Sequence, residues 1–105
     1  MARIPTTLRV GPLRYQIVRD SQRLPLDHWG MTDKARQVVA LSPDQSDQRT
    51  RLTLLHEILH ALADITNLDG IDPSVEERLV TQLAPALLDL LRENPGLVAY
   101  LTDTD

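Results

Sequence analysis

The stretch Leu54-Leu55-His56-Glu57-Ile58-Leu59-His60-Ala61 constrains this chain more than any other. It holds the pattern His-Glu-x-x-His inside an apolar run with helical period. On a helix, His56 and His60 fall one turn apart on one face, where two imidazoles reach a single metal ion. Glu57 then lies beside the ion rather than on it, placed to take a proton from a water and return it to a leaving amine. Accident is a weak rival. With three histidines and four glutamates in 105 residues, only about two or three shufflings in a thousand contain the pattern.

Two imidazoles do not complete a catalytic zinc site, which normally has three protein ligands and a water. The extended pattern with a third histidine needs glycine at position 63 and histidine at position 66, where the chain has Ala63 and Thr66. With no cysteine in the chain, thiolate ligands are excluded. Asp64 continues the histidine face but stands about 12 Å along the axis from His56, too far to share an ion. The remaining candidates are Asp69, Asp72, Glu76 and Glu77. Glu77 has the polar Thr81 one turn on, whereas Glu76 has Val80; Glu77 is therefore the expected third ligand and Glu76 the alternative. A competing role for Glu77 is a capping box with Ser74, but Pro73 at the first helical position favours Asp72 as the cap.

A chain of 105 residues makes one small domain with a modest core. Residues 1–41 read as a strand-rich part and 42–101 as a helical part. Thr6–Val10 and Leu13–Val18 alternate apolar and polar about Gly11-Pro12, the signature of a hairpin. Residues 19–27 read as a loop, His28–Thr32 as a short strand, Asp33–Arg36 as a turn and Gln37–Leu41 as a last strand. The expected class is α+β, with three or four antiparallel strands preceding the first helix. Ser42-Pro43-Asp44-Gln45 is the expected helix start, with the periodic part running from about Gln48 to Ile65. One apolar line there is Leu54, Ile58, Ala61 and Ile65; a second, beside the histidines, is Leu52, Leu55, Leu59 and Leu62. A helix so widely apolar is expected at the centre of its domain. The second helix follows Asp72-Pro73, carries a kink-inducing Pro85 and stops at Asn94-Pro95-Gly96; Leu97–Leu101 reads as a short helix packing back on the core.

The net charge of −4 hides an asymmetry: residues 1–51 are net +4 and residues 52–105 net −8. The arginines of the basic half are spread singly along strands, as on solvated faces, so nucleic acid is not the expected partner. No apolar run is long enough to span a membrane. The start of the chain lacks a signal-type apolar stretch, and the absence of cysteine fits a reducing compartment; the expected location is the cytoplasm. His28 precedes the strand leading towards the helix; it is expected as an exposed loop histidine, with a place lining the cleft as the alternative, and Tyr15 and Tyr100 are secondary candidates for oxyanion donors.

His56-Glu57-x-x-His60, the strand before it and the leucine-rich second helix that opens on a glutamate resemble the ImmA/IrrE-type zinc metallopeptidases, small gluzincins of bacteria, phages and mobile elements. The resemblance covers roughly residues 36–92. In that family the second helix carries Glu, a small residue three on, Asn or Asp four on, then Phe-Ala. Here the frame gives Glu77, Val80, Thr81, Leu83 and Ala84, departing at Thr81 and Leu83. The resemblance implies a minimal zincin fold, one zinc ion on His56, His60 and Glu77, and a regulatory protein as substrate. The short, phage-encoded form is the nearest in length.

Two functions follow as expectations. The first is a zinc peptidase with Glu57 as general base and then acid, the strand Gln37–Leu41 pairing with an extended substrate, and a partner protein as a candidate activator. The second is a non-catalytic binding module on the same fold, with structural zinc or none. Glu57 favours the first, because a structural zinc needs no base and usually has four protein ligands.

Overall fold

The computed structural model describes residues 3–66 and 76–103, with side chains for 3–66 and 82–103. Four strands and three helices form an α+β fold. They are β1 (Thr7–Val10), β2 (Leu13–Arg19), β3 (Gly30–Asp33), β4 (Val38–Leu41), α1 (Asp47–Ile65), α2 (Glu76–Glu93) and α3 (Pro95–Leu101).

Strict alternation sets the first hairpin. Leu8, Val10, Tyr15 and Ile17 turn inward while their neighbours stay outside, as a half-buried strand pair requires. Val10 pairs with Leu13, leaving Gly11-Pro12 as the connection. Gly11 has φ +58°, and a Cβ there would stand 2.9 Å from Ile65 Cδ1 on α1. The left-handed backbone favours glycine there, and the Ile65 side chain would have to shift to admit a Cβ.

The sheet is mixed, not the all-antiparallel sheet expected from the sequence. Its order is β1-β2-β4-β3, with β4 parallel to β2 and antiparallel to β3. The connection across residues 20–29 is long enough to skip a place, so the chain builds the outer strand first and returns through the β3–β4 turn. The Asp33 carboxylate accepts the Arg36 N–H at 3.0 Å in that turn, and this bond holds its pKa below the usual carboxylate value. Gln37, at φ +57°, closes the turn. All four residues of β4 are buried, which fits a strand flanked on both sides and covered on both faces.

The helices pack on the face made by Leu8, Val10, Tyr15, Ile17, Val39 and Leu41. Ser46, not the Ser42–Gln45 stretch, caps α1, its side chain accepting the Arg49 N–H at 3.1 Å. The buried stripe of α1 is Thr50, Thr53, Leu54, Glu57, Ile58, Ala61 and Leu62. Of the second apolar line expected beside the histidines, only Leu62 is buried; Leu52, Leu55 and Leu59 are exposed. The helix therefore rests on the sheet along one stripe rather than being enclosed. Pro85 lies inside α2, and Leu90 on α2 and Leu97 and Tyr100 on α3 complete the core. The expected cap of α2 at Asp72-Pro73 lies outside the described residues. Among the described residues, no helix is long and apolar enough to cross a membrane.

Asn94, between α2 and α3, closes one edge of the sheet. Its side chain accepts the Arg9 N–H at 3.0 Å, donates to the Arg9 carbonyl at 3.0 Å, and donates to the Leu90 carbonyl at 2.7 Å. The amide thus does for β1 what a further strand would do. Asn94→Ala should cost about 1–3 kcal/mol, from bonds worth roughly 1 kcal/mol each. Asn94→Asp, which keeps the acceptor and loses both donors, should fall between. Urea midpoints at constant slope measure this; a midpoint unmoved in Asn94→Ala would show that the clasp contributes nothing.

Candidate metal centre

The middle of α1 faces β3, and His56, Glu57 and His60 come together there. The Nε2 atoms of His56 and His60 lie 3.2 Å apart, their rings edge to face with centroids 4.9 Å apart. Two nitrogens on one tetrahedral zinc, at about 2.05 Å each, are separated by about 3.3 Å. The one-turn spacing therefore delivers the bite that a shared ion needs. Both rings are exposed, whereas Glu57 between them is only 6% exposed.

A buried carboxylate needs hydrogen bonds to offset its lost hydration. Thr32 on β3 supplies one: its hydroxyl donates to Glu57 Oε1 at 2.8 Å and stands 3.0 Å from the Glu57 carbonyl oxygen. Oε2 has no protein donor among the described residues. The helix can approach β3 this closely because position 30 is glycine. A Cβ there would stand 2.6 Å from Thr53 Cγ2 and 3.2 Å from both Glu57 Cγ and Oε2. Behind Thr53, Gln45 ties the layers together. Its amide oxygen accepts from Thr53 Oγ1 at 2.9 Å, and its nitrogen donates to the carbonyls of Ser42 at 2.9 Å and Trp29 at 3.1 Å. Sequence reading missed Gly30, Thr32 and Gln45 as parts of the site. The only signal was the glycine inside a short strand, which marks a close approach.

His56, Glu57 and His60 line a cleft of about 310 Å³ together with His28, Met31, Thr32 and Lys34. His28 is exposed, as expected, yet it lines this cleft and a smaller recess against His56 and Glu57. Among the described residues, no three His, Asp or Glu side chains are grouped to hold a metal ion. The expected third ligand, Glu77, and its alternative, Glu76, open α2, but their side chains lie outside the described residues, as do Asp69 and Asp72.

Neither tyrosine reaches the cleft. Tyr15 is fully buried, and its hydroxyl has no hydrogen-bond partner among the described residues. Burial first, and then the nearby Asp64 carboxylate, push its pKa up. Tyr100 packs at the N-terminal end of α1, where its carbonyl accepts from Arg51 Nε at 3.2 Å and the guanidinium lies over its ring.

No protein-family model, curated protein or solved structure matches the chain.

Gly30→Ala should destabilise the fold by about 1–3 kcal/mol through overpacking, lowering the melting temperature by about 4–8 °C for each kcal/mol. A melt within one degree of wild type would mean that α1 and β3 are not held at this separation.

Proposed function

We propose that this chain is a zinc-dependent peptidase of minimal zincin type, with His56 and His60 as two metal ligands, Glu57 as general base and acid, and Glu77 as the third ligand. The observation that carries the reading is the pair of Nε2 atoms 3.2 Å apart with a buried, hydrogen-bonded carboxylate between them in sequence. A histidine pair serving only the core would be buried among apolar side chains; this pair faces an open cleft. Zinc bound there supplies Lewis acidity to the reacting water and carbonyl.

The chain's own residues then divide the work. Thr32 holds Glu57 Oε1, so the carboxylate keeps one orientation, and Oε2 is the oxygen left to accept the proton of the attacking water. The same carboxyl returns that proton to the leaving amine. The substrate-pairing strand proposed from sequence, β4, is internal and has no free edge, since β2 and β3 occupy both sides. β3 takes that role instead. The Ser42 N–H bonds to the Trp29 carbonyl at 2.8 Å, so alternation along the ladder turns the backbone groups of Gly30 and Thr32 to the outer edge. An extended peptide pairing there runs past Glu57. The resemblance adds a regulatory protein as substrate, and the small open cleft adds an activating protein partner.

One observation favours a second reading, that of a non-catalytic binding module. Leu52, Leu55 and Leu59 form an exposed apolar stripe at i, i+3 and i+7 on α1, a surface suited to protein contact.

Glu57→Gln separates the two. It should leave zinc content and melting temperature near wild type while hydrolysis of an unstructured protein such as casein falls by at least 100-fold. Unchanged cleavage at equal zinc content would remove Glu57 from the chemistry, and a wild type that neither binds zinc nor cleaves would leave the binding module as the reading.

The glutamates at the start of α2 form a second test. Glu77→Ala should weaken zinc binding by well over the 10–100-fold typical of a residue that only supports a ligand, with Glu76→Ala near wild type. Calorimetric titration with zinc measures both. The reverse order would assign Glu76, with the helix presented about 100° round. If Glu77 only caps the helix, Glu77→Ala costs about 1 kcal/mol of stability and leaves zinc affinity unchanged.

A further inference from the structure

The wall of the cleft continues beyond β3 into the connection from β2. That segment is not loose. Asp20 caps a single 3-10 turn, Ser21–Arg23, accepting the Gln22 N–H at 3.0 Å. The His28 N–H bonds to the Pro25 carbonyl at 3.1 Å, and the Trp29 carbonyl accepts from both Ser42 and Gln45. On this pinned backbone sit Leu26, 89% exposed, and Trp29, 47% exposed. Scattered exposed apolar residues need no explanation. These two, with Leu24 and Pro25, instead line one groove of about 570 Å³, larger than the metal cleft and within the range of sites that bind ligands.

The groove is continuous with the centre. Asp27, His28 and Trp29 line both the groove and the recess of about 220 Å³ against His56 and Glu57. Trp29 is also the residue immediately before Gly30, where the free edge of β3 passes Glu57. A peptide paired with that edge advances about 3.4 Å per residue, so its side chains reach the groove within two or three residues of Glu57. Asp27 and Asp44, on the groove's wall, have no ion-pair partner among the described residues and disfavour an acidic occupant beside them, while the Arg49 guanidinium is held over the Trp29 ring, 5.5 Å from its centroid.

We infer that this groove is the specificity subsite of the centre, taking a leucine- or phenylalanine-sized side chain of an extended peptide substrate. Its place beside the scissile bond rests on the peptidase reading; its apolar selectivity does not.

Trp29 is the chain's single tryptophan, so its emission reports on the groove without any turnover. Zinc-loaded Glu57→Gln protein is titrated with blocked hexapeptides that carry leucine, glycine or aspartate at one position between alanines. The leucine peptide should shift the emission to the blue and bind at least tenfold more tightly than the aspartate peptide. Leu26→Asp, a change at an exposed position that leaves the core untouched, should erase that preference. Wild type should cut the leucine peptide preferentially. Equal binding of the three peptides, no emission change with any of them, or a preference that survives Leu26→Asp overturns the subsite. Leucine-selective binding without zinc-dependent cleavage overturns the peptidase reading while leaving the groove as a peptide site.

Discussion

The contact between α1 and β3 is the constraint on which the rest depends. A helix lying on a sheet is usually held off by side chains from both. Here one of them is missing, because Gly30 offers no Cβ where Thr53 and Glu57 come down. The gap lets a carboxylate sit almost fully buried at the edge of a cleft, with Thr32 donating to it from the same strand. The two histidines, one residue before and three after, are then carried outward on the exposed side of the same helix. Burial of the acid and exposure of the imidazoles are thus two results of one helix orientation.

Among the described residues, topology places an open edge beside that helix. Parallel pairing of β4 with β2 moves β4 inside and pushes β3 to the margin. The opposite margin, β1, is closed by the Asn94 amide. The sheet therefore keeps its free backbone groups on the strand that touches the proposed catalytic residue. An exposed edge is ordinarily a liability for aggregation; this one is only four residues long, and it serves the proposed function as a template for an extended chain.

The leucines of α1 show where periodicity stops being informative. Leu54 and Leu62 are buried, whereas Leu52, Leu55 and Leu59 are exposed, although all lie in one apolar run. Hydrophobic pattern ranks faces of a helix only when the opposite face is polar. In this helix both sides carry leucine, so the pattern left the orientation open. Of the polar residues in the buried stripe, Glu57 marks the face that meets the sheet, because its carboxylate accepts from Thr32 on β3; Thr50 bonds back to the carbonyl of the cap Ser46, and Thr53 to Gln45 in the segment before the helix.

The sequence by itself determined the local elements and pointed to His56, Glu57 and His60 as the residues of the proposed site. The first hairpin, the strand before α1, the helix through His-Glu-x-x-His and the break at Asn94-Pro95 are all local: alternation, turn chemistry and one-turn spacing act within a few residues of each other. The non-alternating Val38-Val39-Ala40-Leu41 run also held the sign of a doubly covered strand. Only the tertiary structure decided that β4 pairs in parallel with β2, that β3 is the edge left unpaired among the described residues, that Gly30 and Thr32 meet Glu57, and that Gln45 holds Thr53 beside it. The same holds for His28 and the Leu24–Trp29 segment, which form one wall with the histidines. Most of these depend on contacts between residues far apart in sequence, such as Gln16 beside Val38 and Thr32 on Glu57, and strand pairing is set by competition among whole strands for the core. No short-range pattern records the outcome of that competition.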